Sequence, residues 1–384
     1  MDQDGQRPLQ VGLIGAGLFT KDAYIPLCRR QLKAVQVRAI WSRSQYAAAT
    51  LLASVQEFSP DASSHYGEDQ LEQLLQDASI DAVIIVLPVQ VMLKVAVQAL
   101  MAGKHVLQEK PAANSVDAVN LAIKEYCTNF GRRVDNSQLP VWALAENYRS
   151  EQGFRKASQL MPQLGTIIKI DLVADMPMNS SNKYFPSQWR RDAVACPGGF
   201  IMDSCVHHIA ALRMLGQAAG LGEVEEASAT ATSISKDLPP PDTLVGSVKF
   251  ASGTCGGVSV TFAGSVLRFS LSVTGTQGSL EVLRGGWGGP KPGYTLSYQT
   301  ATSSGSHIEQ VPFSGLEDEL TAFVQQVHAS KNGNHEPDSD AVYRISIQEG
   351  AKDLAVVEAL LESSKQSGNT VPVKSVPMPS ASKS

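Results

Sequence analysis

Short apolar runs alternate with stretches of helical spacing along the first 148 residues of the chain. Five runs rich in Val, Ile and Leu predict β-strands, at Leu9–Gly15, Val35–Trp41, Ala82–Leu87, His105–Leu107 and Val141–Ala145. Between these runs the apolar positions recur at helical intervals, over Gln45–Val55, Gln70–Leu75, Gln90–Met101 and Ser115–Tyr126. Such alternation predicts an α/β domain, a doubly wound parallel sheet covered by helices on both faces.

The pattern changes near residue 150. A helix is predicted over Glu151–Met161, followed by strands that are mostly separated by glycine-containing turns. The predicted strands are Thr166–Ala174, Glu225–Ile234, Thr243–Phe250, Thr254–Phe262, Arg268–Thr274, Ser279–Leu283 and Tyr294–Tyr298. Short turns between strands favour antiparallel pairing, so we expect an α+β domain with a large, mainly antiparallel sheet. Two helices, Gly315–His328 and Asp340–Ser363, are predicted to follow.

These patterns divide the chain into two domains and a tail. Residues 1–148 form the first domain, residues 149–372 form the second, and residues 373–384 are a flexible tail rich in Ser, Pro and Lys. The final helix is a candidate to pack back on the first domain. The region Gly285–Gly305 is rich in Gly, Ser and Pro and is predicted to be a loop.

The composition is that of a soluble globular protein, with 43% apolar and 18% charged residues in a chain of 384. A net charge of −5 argues against nucleic acid as a partner, because such binding needs a concentrated basic surface. The apolar runs are too short to cross a bilayer and the N-terminus has no secretory pattern, so we expect a cytoplasmic protein with no membrane partner. The five cysteines form no CxxC pair, which is typical of reduced thiols and not of a zinc site.

A glycine-rich turn, GAGLFT, directly follows the first predicted strand. In a dinucleotide-binding fold the first glycine permits the tight turn, and the second lets the backbone approach the pyrophosphate. Thr20 stands at the third glycine position, so the fingerprint is incomplete. The place of this turn in a strand–helix alternation nevertheless favours a Rossmann domain over an ordinary strand–helix turn. The cofactor contacts are assigned to Gly15, Gly17, Leu18 and Phe19.

The end of the second predicted strand bears on which dinucleotide is bound. NAD-selective domains tend to place an acid here, about 20 residues after the glycines, to bind the ribose 2′-hydroxyl. This chain has Ser42 and Arg43 instead, and a guanidinium pairs well with a 2′-phosphate. We therefore expect NADP(H) to be preferred. NAD(H) stays a candidate because arginine also stacks on adenine, and the other interpretation is that Arg43 is merely solvated.

A third segment, GKHVLQEKP, lies at the end of the predicted strand His105–Leu107. Ligands of open parallel sheets bind at the carboxyl ends of the strands. We therefore expect Glu109 and Lys110 at the cofactor site, with the Lys110 ammonium directed into the crevice. A lysine in a loop is usually solvated, and only its position in the sheet favours a functional role.

A fourth segment, GGFIMDSCVHH, carries the candidate acid/base residues. In a helix, Asp203 and His207 are four residues apart and share one face. A carboxylate near an imidazole favours the charged ring and fixes its orientation, which suits proton transfer. The alternatives are an Asp–His pair that only stabilises the helix and a geometrically awkward metal site that includes Cys205, and we assign no metal. His208 lies about 100° from that face and is expected to be structural.

In this order, the four segments resemble the glucose–fructose oxidoreductase, inositol dehydrogenase and MocA (Gfo/Idh/MocA) family, as does the stretch Trp189-Arg190-Arg191. The resemblance covers residues 9–374. It implies a Rossmann domain and an open, mainly antiparallel α/β domain whose sheet often forms the oligomer interface, so a homo-oligomer is expected. It also implies hydride transfer between NAD(P) and a hydroxyl or carbonyl of a sugar, inositol or related polyol. The segment AENYR looks like a group of eukaryotic members without a defined substrate.

The resemblance also implies roles for single residues. Lys110 matches the active-site lysine that contacts cofactor and substrate. Asp203 and His207 match the acidic residue and the acid/base histidine, and we expect Asp203 to orient His207. Leu87 and Pro88 stand where many members have Thr-Pro and are assigned to the cofactor. The substrate contacts are assigned to Tyr148, Arg149, Trp189 and His207.

Two other classes stay open at this point. One is a regulatory protein that keeps the fold and senses NAD(P) without catalysis, since a fold does not determine a function. The joint presence of Lys110, Asp203 and His207 favours the enzyme over this regulator. The other class is a carbohydrate-binding module without a cofactor, which leaves the glycine turn and Arg43 unexplained.

Overall fold

The computed structural model describes residues 6–130, 139–285, 292–302, 305–333 and 339–377. Its first part alternates strands and helices. In chain order these are β1 (Leu9–Ile14), a π-helical turn (Thr20–Tyr24), α1 (Ile25–Arg30), β2 (Val35–Ser42), α2 (Gln45–Gln56), β3 (Ser63–Tyr66), α3 (Gly67–Gln76), β4 (Ala82–Ile85), α4 (Val89–Met101), β5 (His105–Glu109), α5 (Val116–Phe130) and β6 (Trp142–Ala145).

These six strands form one parallel sheet in the order β3-β2-β1-β4-β5-β6. The doubly wound parallel sheet predicted from the sequence is therefore confirmed. Strand β3 was not predicted, because its residues Ser63-Ser64-His65-Tyr66 have no apolar alternation and none of them is fully buried. It forms at the edge of the sheet by pairing with β2.

The second part begins with helices and continues with strands. In chain order these are α6 (Asn147–Ser150), α7 (Gln152–Leu160), β7 (Ile167–Asp175), α8 (Gly199–Ala218), β8 (Val224–Thr232), β9 (Thr243–Phe250), β10 (Cys255–Thr261), β11 (Arg268–Gly275), β12 (Gly278–Arg284), β13 (Gly293–Thr300), β14 (His307–Pro312), α9 (Gly315–Lys331), α10 (Asp340–Arg344), α11 (Ile347–Lys365) and β15 (Val371–Pro372).

Nine strands form the second sheet, in the order β14-β13-β12-β11-β7-β10-β9-β8-β15. All neighbours in it are antiparallel except β7 and β10, so the mainly antiparallel sheet is confirmed. The strand predicted at Tyr294–Tyr298 is present as β13, where Tyr294 and Leu296 are buried and pair with β12. The prediction of a loop over the whole of Gly285–Gly305 is therefore wrong for this stretch. Residues 286–291 and 303–304 of that region lie outside the described part of the chain.

The two sheets share helices that come late in the chain. Leu320, Phe323 and Val327 of α9 lie in one apolar cluster with Leu13 of β1, so α9 covers one face of the parallel sheet. Helix α11 packs on α8 and β8, and the Glu358 carboxylate accepts a hydrogen bond from the Val116 N–H at the start of α5. No helix of the described residues is long and apolar enough to cross a membrane.

The tail predicted to be flexible from residue 373 is ordered at its start. The Val373 N–H donates to the Glu225 carbonyl, which continues the pairing of β15 with β8. Lys374 forms ion pairs with Asp117 and Glu358, and the Ser375 carbonyl accepts a hydrogen bond from Asn120. Residues 373–376 are thus held between the two parts of the fold, and residues 378–384 lie outside the described part of the chain.

Candidate active site

The parallel sheet brings several of the predicted site residues together at the end where its strands finish. Because β1, β2, β4, β5 and β6 run in the same direction, the residues that follow each strand lie at the same end of the sheet. These residues are Gly15 after β1, Arg43 after β2, Leu87 after β4, Lys110 after β5 and Glu146 after β6. Four of these five were predicted from the sequence.

The glycine turn has the geometry of a phosphate-binding loop. Gly15 has φ +117°, and a Cβ built there would lie 2.1 Å from the Val86 carbonyl oxygen, so this position admits only glycine. A Cβ at Gly17 would meet no atom within 4 Å, which leaves the backbone open to a ligand. Helical backbone begins at Leu18, and the first N–H groups of a helix have no partner within it. The residues present therefore fit the pyrophosphate of a dinucleotide.

Thr20, which replaces the third glycine, braces this turn. Its buried hydroxyl donates a hydrogen bond of 2.8 Å to the Gly15 carbonyl oxygen. The departure from the fingerprint thus adds a contact within the turn and leaves the open side at Gly17 unchanged.

At the end of β2, Arg43 is exposed, and no hydrogen bond or ion pair within the described ranges engages its guanidinium. Ser44 accepts a hydrogen bond from the Ala47 N–H at 3.3 Å and so caps α2, while the Ser42 hydroxyl accepts one from the Ser44 N–H at 3.3 Å. The cation stands beside a helix N-terminus, where an anion is favoured.

Lys110 and Asp203 form the ion pair that links the two domains at the site. The Lys110 Nζ donates to the main-chain oxygen of Asp203 at 3.0 Å and to its Oδ1 at 3.2 Å. Arg190 Nε donates to Asp203 Oδ2 at 2.8 Å. Burial by itself would raise the pKa of the Asp203 carboxyl, but the Lys110 and Arg190 cations lower it to about 2. Asp203 is therefore an ionised group that holds two cations.

His207 has a different carboxylate partner from the one predicted. Its Nδ1 lies 2.6 Å from Glu146 Oε1, and the Glu146 side chain is only 2% exposed. The expectation that Asp203 orients His207 is wrong, because both Asp203 oxygens are engaged by Lys110 and Arg190. Spacing along α8 places the two side chains on one side of the helix, but they contact different partners.

Helix α8 begins abruptly beside the site. Gly198 and Gly199 have φ values of +86° and +52°, and side chains there would collide with Leu361 and Pro239. These glycines let α8 start close to other segments of the same chain. Asp203 then lies in the second turn of α8, opposite Lys110.

The predicted substrate residues differ in where they lie. Trp189 is half-buried, its carbonyl accepts a hydrogen bond from Gln90 at 3.0 Å, and its ring lies 4.1 Å from the Arg190 guanidinium. Tyr148 is 4% exposed and stacks on His207 with the ring centroids 4.9 Å apart. The Tyr148 hydroxyl accepts a hydrogen bond from Arg284 at 2.7 Å. Trp189 thus lies beside the Asp203 ion pair, and Tyr148 supports the His207 ring.

Arg149 and Glu109 are turned into the protein interior. The Arg149 guanidinium is fully buried, binds both oxygens of Asp353 and is not available to a substrate. Glu109 accepts hydrogen bonds from the Tyr24 hydroxyl at 2.8 Å and from the Lys110 N–H at 3.1 Å. The structure therefore does not bring the Arg149 side chain to the site, and it uses the Glu109 side chain to hold the turn that carries Lys110.

Sequence reasoning missed Glu146, Arg190 and Arg284 as site residues. Glu146 follows β6, so the strand-end rule that selected Lys110 also applied to it. Arg190 lies in the Trp189-Arg190-Arg191 stretch, but the sequence alone gives no sign that it contacts Asp203. Arg284 reaches Tyr148 from β12, a contact over 136 residues that no local pattern indicates.

Four buried acids lie behind the site, and we call Glu109, Glu146, Glu151 and Glu319 the carboxyl cluster. Burial raises the pKa of Glu109 to about 7, although the Lys110 charge and the Tyr24 hydrogen bond act in the opposite direction. Burial, followed by the charge of Glu109, raises the pKa of Glu319 well above its ordinary range. Glu319 Oε2 has no hydrogen-bond partner among the described residues. The absence of a partner costs less free energy for a protonated carboxyl than for a charged one.

Replacing Glu319 by glutamine should stabilise the protein in a pH-dependent way. Because the pKa of Glu319 is higher in the folded protein than in the unfolded chain, ionisation above about pH 4.5 favours unfolding. We expect Glu319→Gln to raise the free energy of unfolding by about 1–3 kcal/mol at slightly alkaline pH, with the gain vanishing near pH 4. Urea unfolding at several pH values measures this.

The matched control is Glu317→Gln on the same helix, where the carboxylate is half-exposed and pairs with Arg30. It should change stability little at any pH. A gain for Glu319→Gln that does not vary with pH would contradict the protonated state assigned to Glu319.

A parallel sheet with a glycine turn, joined by a lysine–aspartate pair to a mainly antiparallel domain, defines a two-domain dinucleotide-binding oxidoreductase fold. Residues 9–134 match the family described as GFO_IDH_MocA, oxidoreductase family, NAD-binding Rossmann fold. Residues 154–281 match the GFO/IDH/MocA C-terminal domain. The chain belongs to the Gfo/Idh/MocA family of oxidoreductases, as the resemblance in its sequence implies.

Individual relatives extend this similarity over nearly the whole chain. Dehydrogenase FPY6 of Fusarium mangiferae is 27% identical over 372 residues, which are 95% of this chain and 99% of that protein. An oxidoreductase of Thermotoga maritima with a solved structure is 25% identical and has a TM-score of 0.76, covering 96% of this chain and 99% of that chain. An inositol dehydrogenase homologue of Azotobacter vinelandii, solved with NAD+, is 17% identical and has a TM-score of 0.75, covering 95% and 97%.

Proposed function

We propose that this protein is an NADP(H)-preferring oxidoreductase that moves a hydride between the nicotinamide and a hydroxyl or carbonyl carbon of a small polar substrate such as a sugar or polyol. The observation that carries the proposal is the contact of Lys110 with Asp203, next to His207, at the sheet edge that also holds the glycine turn. The inositol dehydrogenase homologue of the same fold was solved with NAD+, which supports a nicotinamide dinucleotide as the cofactor.

The proposed cofactor-binding site, called the cofactor seat, consists of the residues predicted from the sequence. Backbone N–H groups of Gly17, Leu18 and Phe19 would bind the pyrophosphate, and Leu87 and Pro88 lie beside the same turn. Ser42 and Arg43 would bind the 2′-phosphate of NADP(H). When bound, the nicotinamide supplies or accepts the hydride.

The proton moves through His207. In reduction, the imidazolium Nε2 donates its proton to the oxygen of the substrate, and in oxidation the neutral Nε2 removes it. The Lys110 ammonium stabilises the negative charge that develops on that oxygen, and Asp203 holds Lys110 in place. Trp189 borders the substrate beside this pair, and Tyr148 acts through the ring of His207.

We also propose that the protein is a homo-oligomer through the nine-stranded sheet. Side chains alternate along its strands, and the face away from α8 and α11 exposes apolar residues such as Val245 and Ile308 in the single chain. A second copy would cover this face. Light scattering that gives the mass of a monomer at micromolar concentration would contradict this assembly.

Thermal stability with each cofactor tests the proposal directly. A ligand that binds the native state raises the apparent stability, so NADPH should raise the unfolding temperature more than NADH at equal concentration. Removing a charged hydrogen-bond partner of a phosphate costs about 1.5–3 kcal/mol, so Arg43→Ala should weaken NADPH binding roughly 10–100-fold. Binding of NADH should change little, because it has no 2′-phosphate.

Arg155→Ala is a matched control, since Arg155 is a surface arginine paired with Asp340 and lies away from the cofactor seat. A larger thermal shift with NADH, or an equal loss for both cofactors in Arg43→Ala, would contradict the NADP(H) preference. Turnover is followed by the absorbance of the reduced nicotinamide against a panel of sugars, polyols and aldehydes. Tight cofactor binding without turnover of any of them would favour a regulatory protein.

A further inference from the structure

We propose that Glu146 is the residue that orients His207 for proton transfer, and that Asp203 holds Lys110 and Arg190 and does not orient His207. This inference rests on the proposed function, because it assigns a positioning residue to the same site. Four observations carry it, concerning the contact itself, the surroundings of Glu146, the rigidity of the pair and the separation of the two ion pairs.

The contact between Glu146 and His207 fixes the tautomer of the ring. In this arrangement Nδ1 carries the hydrogen of the 2.6 Å contact and donates it to Glu146 Oε1, the oxygen that also accepts from the Tyr148 N–H. The other ring nitrogen, Nε2, is then the one left for the substrate. It is an acceptor when the ring is neutral and a donor when the ring is charged, as proton transfer in the two directions of the reaction requires.

His207 is the side chain of the described structure that pairs with Glu146. Titratable groups that interact with Glu146 include Glu109 on β5, Glu319 on α9, Asp353 on α11 and the Tyr148 hydroxyl. The cations Lys110 and Arg284 lie near His208, the residue next to His207. No Lys or Arg within the described ranges forms an ion pair with Glu146. A buried carboxylate is costly unless a hydrogen-bond donor faces it, and the His207 Nδ1 at 2.6 Å supplies that donor.

The members of the carboxyl cluster differ in their surroundings. Burial raises the pKa of Glu109, Glu151 and Glu319, which favours their protonated forms. Glu146 alone among the four contacts an imidazole.

The pair is held rigidly from the side of Glu146. The carboxylate also accepts a hydrogen bond from the Tyr148 N–H at 3.2 Å and caps α6. The Tyr148 ring stacks on His207 at an interplanar angle of 20°, and Arg284 donates to the Tyr148 hydroxyl. One short segment after β6 therefore supplies both the hydrogen-bond acceptor and the stacking surface for the imidazole.

The two ion pairs of the site are separate. Lys110 and Arg190 occupy both oxygens of Asp203, while His207 faces Glu146, so the charge of each carboxylate acts on a different catalytic group. Removal of one carboxylate should therefore change the pH dependence of the reaction, and removal of the other should not.

The experiment compares Glu146→Gln with Glu151→Gln and Asp203→Asn. Glutamine keeps the shape of the side chain and removes its charge, so the pH at which kcat/KM reaches half its plateau should fall by about 1–3 units in Glu146→Gln. In the direction of reduction this lowers kcat/KM about tenfold or more above that pH. Glu151→Gln changes a buried acid of the same cluster that caps α9 and does not contact His207, and it should leave the half-plateau pH where it is. Asp203→Asn should lower kcat without moving that pH.

A second measurement does not depend on turnover. The protein has seven histidines, and 15N labelling of their rings with His207→Asn for assignment isolates the signal of His207. Its titration should move to lower pH in Glu146→Gln and stay in place in Glu151→Gln. In the unsubstituted protein the Nδ1 proton should give a low-field resonance, which tests the contact even if Glu146→Gln fails to fold.

The outcomes separate the two proposals. An unmoved titration of His207 in folded Glu146→Gln, or absence of the low-field proton, overturns the role of Glu146 whatever the activity. If the titration moves but the unsubstituted protein turns over no substrate, the role of Glu146 stands and the proposed catalytic function fails. Equal effects of Glu146→Gln and Asp203→Asn on the half-plateau pH also overturn the separation of the two ion pairs.

Discussion

Replacement of His207 by alanine should lower turnover about 10²–10⁴-fold, the usual contribution of a positioned acid or base. The reason is local: Nε2 of this ring is the group that we propose exchanges a proton with the substrate, because Nδ1 contacts Glu146. The glycine turn and Arg43 lie elsewhere on the sheet edge, so NADPH binding should stay near that of the unsubstituted protein. Steady-state kinetics and a thermal shift with NADPH measure the two effects on one preparation.

His307→Ala is the control for a lost imidazole. His307 lies at the start of the edge strand β14, is exposed and stacks on Tyr298, so its removal should leave turnover unchanged. A His207→Ala protein that binds NADPH and turns over near the normal rate would eliminate His207 as the acid/base. A variant that loses NADPH binding as well would point to a structural effect, because within the described residues His207 contacts Glu146 and Tyr148 and not the glycine turn.

The elements that could be predicted from the sequence are those with a buried apolar stripe. Strand β4 is buried along its full length, and its apolar run is visible without any knowledge of its neighbours. Strands β3 and β14 are edge strands whose residues are largely exposed, so their sequences lack the period-2 pattern and their pairing depends on β2 and β13. A buried strand needs apolar residues, which are visible in the sequence. An exposed edge strand pairs through its backbone and needs no such pattern.

In the site, too, contacts that depend on residues distant in the sequence could not be predicted. Lys110 was found because a rule about parallel sheets places the end of each strand at the ligand. The orientation of His207 was assigned to Asp203 on local spacing, and the error arose because a shared helix face does not determine which side chains meet. Glu146 is 61 residues from His207 in sequence, and only the packing of α8 against the end of β6 brings them together. Arg149 was placed in the pocket by analogy, and its partner Asp353 lies on a helix more than 200 residues further along.

Replacement of Asp353 by alanine should cost about 3–5 kcal/mol of stability, the usual loss when one partner of a buried ion pair is removed. Asp353 is 1% exposed and binds the guanidinium groups of Arg149 and Arg213, both fully or almost fully buried. Arg213 keeps Glu349 and Glu223. Arg149 loses its close carboxylate and keeps the Tyr343 hydroxyl at 3.1 Å and the Glu349 carboxylate at 3.9 Å. The buried guanidinium charges of Arg149 and Arg213 then become partly unpaired. This raises the free energy of the folded state and leaves that of the unfolded chain nearly unchanged. Urea unfolding measures the loss.

Asp117→Ala is the matched control, because Asp117 is 76% exposed and its pair with Lys374 is screened by water, so about 0–1 kcal/mol is expected. A small loss for Asp353→Ala would mean that water or a rearranged Glu349 reaches Arg149, and the network would then not be the element that joins α6, α8 and α11. Since α6 follows Glu146 and carries Tyr148, a large loss also explains why this end of the site is rigid. The interior ion pairs hold the short helix α6, and Glu146 at its N-cap and Tyr148 within it contact His207.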